Sequence, residues 1–107
     1  IAFGYTRRGP RMPGAGAPPL VRNVALHGVA GSAAGGSYST ALDLLAFVNA
    51  AKAGVFPGTN GDMGIAGGAP GTNAVIESSG EWTVVVLTNV DPPTGEDLGT
   101  AIARALR

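Results

Sequence analysis

The sequence predicts an α+β domain in which antiparallel sheet strands pack against helices. Two apolar runs, residues 73–77 and 82–88, flank a short loop that contains glycine, and this pattern is typical of an antiparallel hairpin. Two other segments, residues 38–54 and 94–107, carry apolar residues at helical spacing. A length of 107 residues is enough for one domain, which we expect to be a single partial domain.

Residues 1–37 are predicted to form an irregular region with short strands. Apolar runs at residues 2–6 and 21–26 suggest the two strands, and residues 9–19 between them are rich in proline and glycine. Proline removes a backbone donor and glycine admits positive φ, so regular structure is not expected there.

The segment at residues 38–54 is predicted to be a core helix. Thr40 and Asp43 have the spacing of a capping box, and Gly54 is placed to end the helix. Leu44, Leu45 and Val48 lie on one apolar stripe. We therefore expect these three side chains to be buried.

The second half, residues 62–89, is predicted to hold antiparallel strands and to be followed by the helix at 94–107. A short strand at residues 63–67 precedes the hairpin, and the second hairpin strand is apolar without alternation, which predicts cover on both faces. Thr94, with Asp97 three residues later, is predicted to cap the final helix. Val84, Val86 and Ile102 are expected in the core.

Composition excludes several classes of function. Seven basic and seven acidic residues balance, which argues against a nucleic-acid interface. Cysteine is absent and His27 is the single histidine, so thiolate and multi-histidine metal sites are excluded, and we expect no metal and no cofactor. The longest apolar run is too short to span a membrane. No signal peptide is apparent in the chain.

The residues alone give no complete active site. Ser37, Ser39, Ser78 and Ser79 lack the context of known nucleophile motifs. The glycine-rich segments 28–31 and 64–71 lack the Gly-Lys-Ser/Thr sequence of a phosphate-binding loop, which favours close backbone packing. His27 has no carboxylate near it in sequence. The carboxylates of four residues are interpreted as solvated charges: Asp62, Glu77, Glu81 and Asp91.

Three separated segments nevertheless resemble one family. Residues 34–44 read Ala-Gly-Gly-Ser-Tyr-Ser-Thr-Ala-Leu-Asp-Leu. They resemble the Ala-Gly-Gly-x-Tyr-Ser-Thr-x-x-Asp-Leu stretch of the serine β-lactamase-like hydrolases, which include class C β-lactamases, penicillin-binding DD-peptidases and related esterases. Residues 64–71 and the hairpin that follows, with the Asp91-Pro92-Pro93 stop, resemble the family's glycine-rich strand and its ending. Phe3-Gly4-Tyr5 resembles the segment that comes before them. The resemblance implies the C-terminal half of the β-lactamase/transpeptidase-like fold.

The resemblance also implies which residues lie at a site. The family's Ser-x-x-Lys nucleophile and Tyr-x-Asn element are absent from this chain. The family's third motif, which contacts substrate, corresponds to Ile65, Ala66 and Gly67, where Ile65 replaces a residue with a polar or cationic side chain. The backbone amide of Gly68 corresponds to an oxyanion donor, with an ordinary strand glycine as the alternative. Only residues 55–61 separate the helix from this strand, fewer than in relatives.

Two functions follow from the resemblance and stay open at this stage. The chain is either the C-terminal part of a serine hydrolase that cleaves an amide or ester through an acyl-enzyme, or a non-catalytic remnant that serves in binding or assembly. The family suggests a periplasmic or secreted bacterial location. The strand at 82–88 would have an apolar edge, which we expect to be covered by a second copy or partner chain, by a missing N-terminal half, or by residues 2–6 folding back onto it.

Overall fold

The computed structural model describes residues 2–8, 13–14, 16–26, 31–59 and 62–107, and it confirms the α+β class. Two antiparallel sheets, of two and three strands, are accompanied by two α-helices. In chain order the elements are β1 (Tyr5–Thr6), β2 (Val21–Arg22), α1 (Ala41–Lys52), β3 (Met63–Ala69), β4 (Thr72–Ser79), β5 (Trp82–Thr88) and α2 (Thr94–Ala105). A 3₁₀ turn, Asn23–Leu26, follows β2.

The three-stranded sheet has the order β3-β4-β5 and consists of two successive hairpins. Ala69 pairs with Thr72 across a two-residue turn in which Gly71 has φ 74°. Gly80, with φ 59°, occupies the corresponding turn between β4 and β5. These positive φ values favour glycine over any residue with a Cβ atom. β3 and β4 are longer than the apolar runs that predicted them, whereas β5 has the predicted bounds.

Helix α2 covers one face of this sheet. Val75, Val84 and Val86 are buried there and pack with Ala103 and Leu106 of the helix. Gly99 brings the helix close to β4, since a Cβ atom at this position would lie 2.5 Å from Cγ1 of Val75. The burial of Val84 and Val86 confirms the prediction for β5.

Helix α1 contacts the other side of β5. Its N-cap is Thr40, whose Oγ1 accepts a hydrogen bond from the Asp43 amide at 3.1 Å, as the spacing predicts. At the far end, Nζ of Lys52 donates to the Gly80 carbonyl and to Oγ1 of Thr83, which alternates with Val84 and so faces away from α2. β5 is thus contacted from both sides.

Three expectations for buried residues need correction. Val48 is fully buried, but Leu44 and Leu45 are only half-buried because α1 packs chiefly against one strand, β5. Ile102 remains 37% exposed, since α2 approaches the sheet through Gly95 and Gly99 and leaves Ile102 on its flank. The burial of a helical stripe depends on the width of the surface that it meets.

The capping of α2 also differs from the prediction. Pro93 holds the N-cap position, Thr94 is the first helical residue, and its hydroxyl donates to the Asp91 carbonyl instead of capping. The helix amides of Gly95 and Glu96 are bound by a side chain from β4, Asn73. Because this cap comes from another strand, no spacing of residues near the start of α2 could predict it.

The N-terminal strand does not pair with β5, which was one of the alternatives expected for covering that edge. Tyr5–Thr6 pairs with Val21–Arg22. The Tyr5 amide donates a hydrogen bond to the carbonyl of Asn89, which is the first residue after the end of β5. The expectation that residues 2–6 fold back onto β5 itself is therefore wrong. Among the described residues, no helix is long and apolar enough to cross a membrane.

Candidate functional site

All the predicted site residues lie on β3, which is an edge strand of the three-stranded sheet. Ile65, Ala66, Gly67 and Gly68 are exposed, and Ile65 shows 50% of its surface. A Cβ atom on Gly67 would meet nothing within 4 Å. One side of this strand is paired with β4, and the other side is open among the residues that the structure describes.

The pairing pattern determines which amides point to the open side of β3. Hydrogen-bonded and non-hydrogen-bonded pairs alternate along an antiparallel ladder. The pair that closes the two-residue turn, Ala69 with Thr72, is a hydrogen-bonded one, so the next pair, Gly68 with Asn73, is not. The N–H groups of Gly68 and Ala66 are therefore directed away from β4.

Gly68 is held by its surroundings in a way that Gly67 is not. A Cβ atom at Gly68 would overlap Cγ of Pro92 and would lie 3.2 Å from Nδ2 of Asn73. The Pro92 ring therefore contacts the strand backbone directly. Such a close approach requires glycine at this position.

Asn73 is the polar centre beneath this part of β3, and it is only 1% exposed. Its Oδ1 accepts hydrogen bonds from the amides of Gly95, at 2.7 Å, and Glu96, at 3.1 Å. Its Nδ2 donates to the Gly67 carbonyl and to Oε1 of Glu96, both at 3.0 Å. Two donors and two acceptor positions are therefore all used, and one side chain fixes β3 and the start of α2 together.

Asp91 forms a second polar junction, beside Pro92. Its Oδ1 accepts from the Gly71 amide at 2.8 Å and its Oδ2 from the Arg7 amide at 3.0 Å. The Thr6 hydroxyl first, and then these two amides, lower the pKa of the Asp91 carboxyl from its ordinary value of 3.8. Asp91 is therefore more than a solvated charge, because its carboxylate binds the N-terminal segment to the β3–β4 turn.

Sequence reasoning missed both Asn73 and Asp91. Asparagine is depleted in strands, so its presence beside β-branched residues in β4 is a signal of a buried hydrogen-bonding role. Asp91 follows the last strand and precedes two prolines, which offers no comparable signal because turns commonly contain aspartate.

Ser78 is not placed as an activated nucleophile. Oγ of Ser78 lies 3.2 Å from Oγ1 of Thr83, and that hydroxyl accepts from Nζ of Lys52. Lys52 also donates to the Gly80 carbonyl, so its ammonium is engaged in holding α1 to the hairpin turn. Ser78 is itself buried, at 4% exposure, behind this contact.

A cavity of about 330 Å³ lies at the opposite end of the sheet from Gly68. It is lined by Glu77, Ser79, Trp82 and Val84 of the hairpin and by residues at the C-terminal end of α2, Ala103, Leu106 and Arg107. None of the predicted site residues reaches it. Within the described ranges, no cluster of three or more histidine, cysteine or acidic residues is suited to a metal ion.

His27 and residues 28–30 lie outside the described residues, so the expectations for them stay predictions. No protein-family model, curated protein or solved structure matches this chain.

Proposed function

We propose that this chain is the C-terminal part of a serine hydrolase of the β-lactamase and penicillin-binding family, with its nucleophile outside residues 1–107. In such an enzyme a serine oxygen bonds to the acyl carbon of an amide or ester, the leaving group departs with a proton, and water then releases the acid. This chain would supply the strand beside the nucleophile.

The observation that carries the proposal is the Gly68 amide on the open edge of β3. An oxyanion hole requires a fixed N–H that points into space where the tetrahedral intermediate forms, and it requires no side chain. The direction of the Gly68 amide, away from β4, supports this role.

The surroundings of Gly68 support the same role, since a useful oxyanion donor must be held in place before the reaction. The neighbouring Gly67 carbonyl is bound by Nδ2 of Asn73, and Pro92 packs against Gly68 itself. Asn73 also anchors the first turn of α2. The Gly68 amide therefore lies on a strand that Asn73 ties to the start of α2.

One observation favours the alternative function, a non-catalytic binding or assembly module. Ile65 occupies the position at which the family places a residue that binds a substrate carboxylate, and half of its side chain is exposed. An isoleucine supplies neither charge nor a hydrogen-bond donor. In the hydrolase proposal, the substrate would therefore present an apolar group to this position.

The first test labels the full translation product of the gene with a fluorescent fluorophosphonate and a fluorescent penicillin. The hydrolase proposal expects a Ser-x-x-Lys sequence in that product and a covalent adduct on its serine. A product that lacks this sequence and takes up neither probe would contradict the proposal and favour the binding module.

The second test removes only the donor. Replacing the Gly68 amide by an ester, through incorporation of glycolic acid, deletes the N–H without adding a Cβ atom near Pro92. We expect acylation to slow by about 10²–10³-fold, the usual effect of losing one oxyanion donor. The matched control is the same amide-to-ester change at Ala66, whose amide also points outward. Equal effects at both positions would contradict the assigned role of Gly68.

A further inference from the structure

The cavity at the C-terminal end of α2 combines an apolar wall with two opposite charges. Its volume of about 330 Å³ lies at the lower end of the range for small-molecule sites, which favours a small ligand. Trp82, Val84 and Leu106 form the apolar wall, and Glu77 and Arg107 line the same space. A few polar groups on a mainly apolar surface are the usual composition of a binding site.

Glu77 is the only charged residue in the three described strands β3, β4 and β5. Side chains alternate along a strand, so Glu77 lies on the same face of β4 as Asn73 and Val75, which is the face that α2 covers. Its partners in the sheet are Gly64, which has no side chain, and Val84, which is buried. The Glu77 carboxylate is therefore half-buried beside apolar residues.

This carboxylate has no cationic partner among the described residues. Oε1 of Glu77 accepts a hydrogen bond of 3.5 Å from the Thr100 hydroxyl, and this is the single contact that its side chain makes with a polar group there. Oε2 has no partner in the same part of the chain. Because a carboxylate that is partly removed from water is stabilised by a hydrogen-bonding cation, the site favours a ligand with a positively charged group.

Arg107 supplies the opposite charge in the same cavity. Its guanidinium forms no hydrogen bond or ion pair with the described residues, and so it does not neutralise Glu77. A ligand with only a positive charge would be repelled by Arg107, and one with only a negative charge would be repelled by Glu77. A guanidinium binds a carboxylate through two parallel hydrogen bonds. A small ligand that carries both an ammonium and a carboxylate therefore matches both residues.

The apolar wall determines the rest of the ligand. Trp82 is 56% exposed, and its indole offers a large, rigid apolar surface next to Leu106. We propose that the cavity binds a free amino acid with a large apolar side chain. The ammonium binds Glu77, the carboxylate binds Arg107, and the side chain packs against Trp82. This proposal does not rest on the hydrolase function, because the cavity and Gly68 lie at opposite ends of the sheet.

The first experiment uses the fluorescence of Trp82, the single tryptophan of the chain. Titration of the 107-residue chain with L-leucine should give a saturable change with a dissociation constant below about 1 mM. L-leucinamide lacks the carboxylate and 4-methylpentanoic acid lacks the ammonium, so each should bind at least about 10-fold more weakly. The absence of a saturable change up to about 10 mM L-leucine, or an analogue that binds as tightly as L-leucine, overturns the proposal.

The second experiment assigns the two charges. Glu77→Gln and Arg107→Gln should each weaken L-leucine binding by at least about 10-fold, and Glu77→Gln should not weaken the binding of 4-methylpentanoic acid. The matched control is Glu81→Gln, which removes an exposed carboxylate next to Trp82 that does not line the cavity, and it should leave the affinity unchanged. Equal weakening by Glu81→Gln and Glu77→Gln overturns the proposal.

Two further results keep the test decisive. If circular dichroism shows that Glu77→Gln is unfolded, Arg107→Gln and the ligand series on the native chain give the answer, since Arg107 is exposed and makes no contact on which folding depends. An affinity for L-leucine that is unchanged or higher in Arg107→Gln would mean that Arg107 turns onto Glu77 in place of a ligand, and this result also overturns the proposal.

Discussion

Removal of the Asn73 side chain tests the polar centre of the fold most directly. Asn73→Ala leaves the amides of Gly95 and Glu96 without their cap, which typically costs about 1 kcal/mol, and up to 2, in unfolding free energy. The Gly67 carbonyl and the Glu96 carboxylate each lose the hydrogen bond that Nδ2 of Asn73 donates. Both acceptors are partly buried, and leaving such a group without a hydrogen bond costs about 1–3 kcal/mol. Because the amides regain some contact with water, we expect a total loss of about 2–4 kcal/mol.

Urea titration followed by circular dichroism measures this loss as a fall in the midpoint with an unchanged slope. The control is Asn89→Ala, which removes a single exposed hydrogen bond to the Phe3 carbonyl and should cost less than about 1 kcal/mol. Asn73→Asp should lower the unfolding free energy less when Glu96→Gln is also present than in the chain with native Glu96. The glutamine side chain can donate a hydrogen bond to the new carboxylate, which the native glutamate cannot. A loss below 0.5 kcal/mol for Asn73→Ala, on the order of an ordinary surface change, would refute the reasoning.

Three further outcomes are expected. Val48→Ala, at a fully buried position, should lower the unfolding free energy by about 2 kcal/mol. Leu42→Ala, at a position that is 77% exposed, should change it by less than about 0.5 kcal/mol. Equal losses in urea titration would mean that the buried face of α1 is misassigned. Folding lowers the pKa of Asp91, so its contribution to stability is complete above its ordinary pKa of 3.8 and is lost as the pH falls through the lower folded value. Asp91→Asn should therefore flatten the dependence of the unfolding free energy on pH in that range. An unchanged dependence would contradict the assigned contacts. Residues 1–107 alone should form no covalent adduct with β-lactams or activated esters, and stoichiometric labelling in intact mass spectra would disprove this.

The hairpins and helices were predictable because their signals are local. The Thr40–Asp43 spacing correctly marks the start of α1, and the apolar run of β5 matches its observed bounds. Failures came where a long-range contact replaced a local one. Thr94 has the right spacing for a cap, but Asn73 reaches the helix amides from β4 and takes that role.

The candidate site was predictable only in its placement on a glycine-rich strand. The positions of Ile65 and Gly68 on β3 follow from the sequence, but the open edge of that strand depends on the strand order of the whole sheet. Pro92 contacts Gly68, and Asn73 binds the Gly95 amide, across more than 20 positions of sequence in each case, and no spacing rule connects such residues.

The junction at Asp91 has a consequence for the order of folding. Its bond to the Arg7 amide closes a loop between residues 84 positions apart, whereas β3, β4, β5 and α2 contact their neighbours in sequence. Long loops are entropically costly to close, so we expect residues 62–107 to gain hydrogen-exchange protection before Tyr5 and Arg7 do. Changes at Thr6, whose hydroxyl binds Asp91 from the N-terminal segment, should then accelerate unfolding while leaving the rate of refolding nearly unchanged.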